Sequence, residues 1–400
     1  MTLLRSGVMK SVPLILIAVI YLAYISLGLP DGIFGVAWPG IRLDIKLPLE
    51  YAGIITTLLI ICSATSSFFS GAVVQRIGTG KLILFSCFLT ASALFGYSIM
   101  PSALWIFIFA LPLGFGQGAV DSGLNHYVAN NLSSRHMNWL HCCWGIGAAT
   151  GPFIFSALTT AGKSWRSSYT AISVIQFSLL IFFIITISLW KTEKRNKIES
   201  TRNETVKAYI KLFSSRAPLL AMLVFFVYTG LEFCVGLWAN SMFIESRGIP
   251  KATAGTWIGM FYFSLTAMRF VSGFIVDRIG NKNMIRAGLV LALGGISLLF
   301  FKTTPALSIA GMIITGAGLA PIYPCMMHET PKRVSKNMSH LLLGCEVASA
   351  NFGVMLLTTG TGKFIAATSL ELLVPIMLAF SFILIIASES LNRTNQSTTD

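Results

Sequence analysis

Ser272-Gly273-Phe274-Ile275-Val276-Asp277-Arg278-Ile279-Gly280 repeats, with few changes, Ser70-Gly71-Ala72-Val73-Val74-Gln75-Arg76-Ile77-Gly78, and the two stretches lie 202 residues apart. The same offset pairs Gly114-x-Gly116 with Gly316-x-Gly318, and Gly151 with Gly353. One offset held at three places reads as a duplication of about half of the 400-residue chain. Around the repeats the sequence is apolar. Runs of roughly 20 apolar residues, the length a helix needs to cross a bilayer, cover 12–38, 51–75, 81–100, 103–129, 137–162 and 168–190, then 217–243, 253–276, 283–301, 305–327, 339–366 and 369–388. The polar stretch 191–216, with eight Lys/Arg and three Glu, parts six segments from six. The pattern predicts an all-α integral membrane protein of about twelve transmembrane helices. Its N-terminal six-helix bundle spans 1–190, its linker 191–216, and its C-terminal bundle with a short polar tail 217–400.

Composition agrees. Hydrophobic residues make up 54% and charged ones 11%, against about 25% charged in a soluble domain. Mean hydropathy is +0.76. That much apolar surface needs lipid as its solvent, which excludes a soluble enzyme or binding module. The net charge of +14 is read as topology and not as nucleic-acid binding. With both termini in the cytoplasm, inner segments carry 20 Lys/Arg, outer loops carry seven, and Arg269 and Lys363 fall inside helices. Basic residues collect on the cytoplasmic side, so the expected location is the inner membrane of a bacterial cell. The seven cysteines are odd in number, lie in apolar stretches and form no C-x-x-C, which argues for buried thiols.

The loop stretches resemble the G-x-x-x-D-R-x-G-[RK]-[RK] signature of the major facilitator superfamily. The second copy, through Gly273, Asp277, Arg278 and Gly280, fits over eight positions; the first keeps Gly71, Arg76 and Gly78 but has Gln75 in place of the acid. The resemblance implies the major-facilitator fold of two pseudo-symmetric bundles, with this motif in gating. It implies that the loop acid steadies one conformation, a contact Gln75 cannot make in the same way. A finer likeness is to the fucose-permease-like branch, which includes sugar:proton symporters and keeps an acid on its first helix and another on its fourth. Here these are Gly28-Leu-Pro30-Asp31-Gly32 and Gly118-Ala-Val-Asp121-Ser-Gly-Leu-Asn125, and Gly230-Leu-Glu232-Phe-Cys-Val-Gly236-Leu-Trp238 on the seventh helix is also similar.

The acids are informative by themselves. An ionisable side chain at mid-bilayer costs roughly 2.5–3.5 kcal/mol, yet Asp31, Asp121, Glu232 and Glu346 all sit inside spans. Such a group faces a wet cavity or a polar partner, and a low dielectric makes it able to gain and lose a proton near neutrality. Asp31 and Asp121 are therefore the candidate proton-coupling residues. Glu232 and Glu346 are candidates for substrate contact; permanently neutral packing acids are the competing reading. At 1.5 Å per residue, Asp31 lies roughly 9 Å to the outer side of its helix centre and Asp121 roughly 7 Å to the inner side. Asn125 shares a helix face with Asp121; His126 turns to another. Trp238 offers either an apolar plate for a substrate or an interfacial anchor. Asn138, His141 and Trp144 follow at helical spacing; cavity lining is one reading, with His141 able to relay protons, and satisfied helix packing is the favoured one. Arg269 reads as a snorkelling cation ahead of a member of a gate ion pair, and Lys363 as a snorkelling cation.

The leading expectation is a secondary transporter of a small polar solute, with a sugar as the example, coupled to H⁺ in symport and needing no cofactor or metal. The alternative is a proton-antiport exporter of drugs or metabolites. Gln117-Gly118 and Gly147-x3-Gly151-Pro152 resemble exporter motifs, but Gly114 stands where their Arg is expected. No nucleotide loop, metal-ligand cluster or nucleophile constellation supports an enzyme. The expected partners are the bilayer and a small-molecule substrate, with no nucleic acid, and the expected unit is a monomer.

Overall fold

A computed structural model describes residues 13–132, 134–190, 210, 212–302, 304–334 and 336–394. Most of the linker 191–216 lies outside the described residues, as do the side chains of Gln75, His126, Asn138 and Asp277 and the surroundings of Gly71. The first half is built from α1 (Leu14–Asp44), α2 (Tyr51–Ile77), α3 (Thr79–Ile99), α4 (Ala103–Asn131), α5 (Ser134–Thr160) and α6 (Trp165–Thr186). The second half has α7 (Arg216–Ser241), α8 (Lys251–Ile279), α9 (Asn281–Leu298), α10 (Pro305–Leu319), α11 (Ile322–Arg333), α12 (Lys336–Ala367) and α13 (Leu373–Thr394). Among the described residues there are twelve passes, because α10 and α11 are one pass broken in the middle. Eleven passes are long and apolar enough to cross a membrane. The exception by composition is α9, which opens on Asn281-Lys282-Asn283 and carries Arg286.

Packing repeats between the halves. In the first, α1 packs on α5 and α6, α4 on α2 and α3, and α3 on α6; in the second, α7 packs on α12 and α13, α10 on α8 and α9, and α9 on α13. The glycines show why. A Cβ on Gly114 would meet the Leu59 carbonyl and one on Gly316 the Phe261 carbonyl; Gly116 faces Ser86 and Thr90, and Gly318 faces Gly288 and Ala292. These facing residues are themselves 202 apart, so duplicated glycines seat duplicated helix contacts, as small residues do between membrane helices. Gly151 and Gly353 break the pattern: one faces Leu29 and the other Phe226, so equal spacing there does not mean equal place. Gly114→Val and Gly316→Val should each reduce the monodisperse fraction of purified protein several-fold, measured by size-exclusion chromatography; an unchanged profile would show that the contact yields cheaply.

The duplicated loops are alike in geometry. Gly78 (φ 84, ψ 157) ends α2 and precedes α3, while Gly280 (φ 78, ψ 155) ends α8 and precedes α9. A positive φ suits glycine at a helix C-terminus.

Helices α1 and α7 are buried almost all round and face one another across the seam between the halves. The seam is completed by α5 against α8 and α2 against α12. It is shut at the face where α1 ends. Asn240 donates to the Val36 carbonyl (2.8 Å), Ser156 pairs with Thr256 (2.6 Å), and Thr57 with Thr359 (2.8 Å). Gly35 lets the α7 backbone approach at Gly236. At the rim Arg42 forms an ion pair with Glu245 across the halves. A pair this accessible contributes about 1 kcal/mol, roughly fivefold in a closed-to-open ratio. Arg42→Glu should therefore open this face, and adding Glu245→Arg should close it again. The measurement is the labelling rate of a Phe34→Cys reporter, with Cys142 and Cys325 removed, by a membrane-impermeant maleimide applied in proteoliposomes at this face only, and a rate indifferent to both changes would exclude the pair as a latch.

Candidate functional site

Between the halves lies a cavity of about 1890 Å³. Its walls reach Gly280, Asn281 and His328 at the face where α1 begins and run inward to Pro30 and Phe34. The cavity therefore opens at one face and stops beneath the shut seam.

Asp31 follows Pro30 on α1 and reaches the cavity wall. Its Oδ1 accepts from Gln117 Nε2 (2.8 Å) and its Oδ2 from Trp144 Nε1 (2.9 Å). Asp121 on α4 also lines the cavity. Tyr24 Oη and Asn125 Nδ2 both donate to its Oδ1, at 2.5 and 3.0 Å. His141 stands edge-on to the Tyr24 ring at 5.7 Å. Both first-half acids are thus held by neutral donors, and among the described residues neither has an ion-pair partner.

The second half differs. Glu232 on α7 accepts from Tyr228 Oη and from Arg269 Nη2 at 3.2 Å. The side chains of Arg269 and Glu232 are 13% and 5% exposed, so this carboxylate is neutralised in place. The third tie on Arg269 comes from the broken pass. Pro324 has no N–H, so the Ala320 carbonyl four residues earlier lacks its helical partner. Arg269 Nε donates to it at 3.3 Å. This corrects the snorkelling reading: Arg269 turns into the cavity, and its guanidinium stands 6.0 Å from the Trp144 ring. A cation inside a low-dielectric protein takes a carboxylate and a carbonyl before a longer reach to water.

Of the residues singled out in sequence, Asp31, Asp121, Glu232, His141 and Trp144 meet at the cavity. Asn125 stands behind Asp121. Trp238 is placed elsewhere: it is buried, donates to the Thr358 carbonyl (3.0 Å) and packs on Gly362, tying α7 to α12. Glu346 is also away from the wall, buried between Thr330 (2.7 Å) and Arg333 (3.6 Å). Arg76 and Arg278 are exposed at the open face and Gly273 lies on the cavity wall; the contact implied for Asp277 lies outside the described residues. Sequence reasoning missed Tyr24, Gln117, Tyr228 and Tyr262. Gln117 and Tyr228 each stand four residues before an acid, on one helix face, which is a usable signal. Among the described residues no cluster of His, Cys, Asp and Glu suits a metal ion.

Comparison with known proteins bears on what such a cavity serves. The family model described as Major Facilitator Superfamily matches residues 20–366. Bypass of stop codon protein 6 of Saccharomyces cerevisiae is 25% identical over 202 residues, covering 44% of this chain and 40% of that protein. Membrane protein MosC of Rhizobium meliloti is 22% identical over 68% of this chain and 65% of its own. The proton-coupled antiporter flippase LtaA of Staphylococcus saprophyticus is 25% identical over 28% of this chain and 29% of its own. The chain spans less than two thirds of the length of each. The nucleoside transporter NupG superposes with a TM-score of 0.79 at 16% identity, covering 95% of this chain and 100% of that one. A D-xylose-proton symporter gives 0.75 at 14% identity, with 95% and 97% covered. At these identities the likeness is one of fold.

Proposed function

We infer, because the chain belongs to the Major Facilitator Superfamily and is therefore a membrane transporter, that it carries a small polar solute through the cavity between its halves by alternating access, in symport with H⁺. The observation that carries this reading is the electrostatic inequality of the halves. Glu232 is held by Arg269, whereas Asp31 and Asp121 face the cavity with neutral donors only. A carboxylate without a cation in a space that seals from water is suited to take up a proton.

The geometry suggests a division of labour. Both described donors of Asp121 converge on Oδ1, which leaves Oδ2 to receive the proton from cavity water. Asp31 has an N–H on each oxygen, so its position is fixed and it presents a localised acceptor to substrate hydroxyls. With the seam shut at the far face, solute and proton enter or leave together at the open one. The orientation we propose puts the termini and the open face in the cytoplasm, where 20 of 29 Lys/Arg gather. Reporter fusions after Asp400 test it, since activity confined to periplasmic reporters would invert the assignment. A sugar suits the acids and aromatic rings of the wall.

The likeness to LtaA, named a proton-coupled antiporter, together with Gly147-x3-Gly151-Pro152, favours proton antiport as a second reading. One experiment separates them. A thermal-shift screen of sugars, nucleosides, acids and drugs identifies a ligand, and proteoliposome uptake is then followed after a pH jump. Symport drives accumulation when the outside is acidic, and antiport when the inside is. Uptake indifferent to the pH gradient would remove proton coupling altogether.

A further inference from the structure

Resting on the transporter reading, we propose that Trp144 is a positioning residue that makes the charge of Asp31 in the first half felt by the Arg269–Glu232 pair in the second. It sits on α5, which packs on α1 behind it and on α8 in front. The indole has two separate faces for this. Its N–H is on Asp31 Oδ2 at 2.9 Å, and its ring lies 6.0 Å from the Arg269 guanidinium. Tyr262 of α8 stands edge-on at 6.4 Å and limits the ring's swing. Gly28 and Gly32 let the α5 backbone press against α1 at Trp144 and Ala148, so the indole has little freedom to translate.

An indole N–H only donates. An ionised Asp31 holds it with a charge-assisted bond, about twice as strong as a neutral one. With Asp31 neutral the bond weakens and the ring can turn within its slot, which withdraws the aromatic face from the guanidinium. Arg269 then keeps Glu232, Tyr228 and the Ala320 carbonyl, but its ring contact with the first half is gone. Other ionisable groups facing this cluster are Asp121 on α4, His141 and Cys142 on α5, Tyr262 on α8, Tyr228 on α7 and Tyr323 on α11. None of them is described in contact with both Asp31 and Arg269. Trp144 is thus the contact that joins Asp31 to Arg269 while the cavity is open, and not simply a plate for a bound ring.

The test reads the indole itself and needs no substrate. The chain has eight tryptophans, so the spectrum of wild type minus that of Trp144→Phe isolates one. Trp144→Tyr, which keeps a ring and a donor, serves as the reference should Phe fail to fold. Asp31→Asn removes the charge and keeps one acceptor oxygen for the Trp144 N–H, with Gln117 turning its Oε1 to the new amide N–H, and Arg269→Gln removes the cation. Each should change the emission of Trp144 at least twofold, and the two changes should be non-additive in the double variant. An emission indifferent to either change, or effects that simply add, would overturn the proposal. A second readout follows D-xylose and uridine in proteoliposomes. Trp144→Phe should alter half-saturation less than threefold while cutting pH-driven accumulation about tenfold, the size of one hydrogen bond to an ionised group. If wild type concentrates neither probe, these two solutes are excluded as substrates, and the fluorescence cycle still decides the role of Trp144.

Discussion

Asp121→Asn should leave exchange of substrate across the membrane intact and abolish its accumulation. The amide keeps the shape of the carboxyl and can still accept from Tyr24 and Asn125 on its oxygen, so folding and binding are preserved. It cannot change charge. A carrier stores gradient energy only where proton and substrate alter each other's affinity, and removing the titrating group removes that linkage. Counterflow should stay within a few-fold of wild type, while the accumulation ratio under an imposed pH gradient falls to one. A variant that still concentrates substrate as wild type does would reduce Asp121 to a packing acid and move the search to Asp31.

Glu232→Gln should destabilise the protein by roughly 3 kcal/mol, the lower end for a charge left without its partner in a protein interior. The lower end applies because the open cavity hydrates part of Arg269, which is 13% exposed. Arg269→Gln should cost a similar amount, since Glu232 is 5% exposed and keeps only Tyr228. The double variant, with both charges gone, should recover more than half of the loss in thermal-unfolding temperature. Additive losses in the double variant would mean that the two side chains stabilise the bundle separately and that their ion pair adds nothing.

The fold was legible because its determinants are periodic and coarse. Apolar segments, a single basic interruption and a repeat offset need no knowledge of contacts. Their limits are equally physical. The run 305–327 looks continuous in hydropathy, but Pro321 and Pro324 divide it into α10 and α11. Gly151 and Gly353 are equally spaced in sequence, yet their helices are not seated alike. The acids could be found because lipid penalises them wherever they occur; their partners could not. Trp238 and Glu346 carry the same polar signature as true wall residues, and only tertiary placement shows one tying α7 to α12 and the other enclosed by Thr330 and Arg333. Arg269 was misread for the reverse reason. A cation near a helix end is cheap to send to water, and the competing carboxylate and carbonyl come from α7 and from the α10–α11 break, both distant in sequence.

That break has a consequence for how long Arg269 stays where it is. Glu232 and Tyr228 are side chains that can move away, but the Ala320 carbonyl is part of the backbone. Pro324 denies it a helical donor in every state of the pass that keeps α11 helical. The guanidinium is therefore moored through Nε to the backbone and through Nη2 to two side chains. Such a mooring holds the cation beside the cavity by an anchor that does not depend on either side chain.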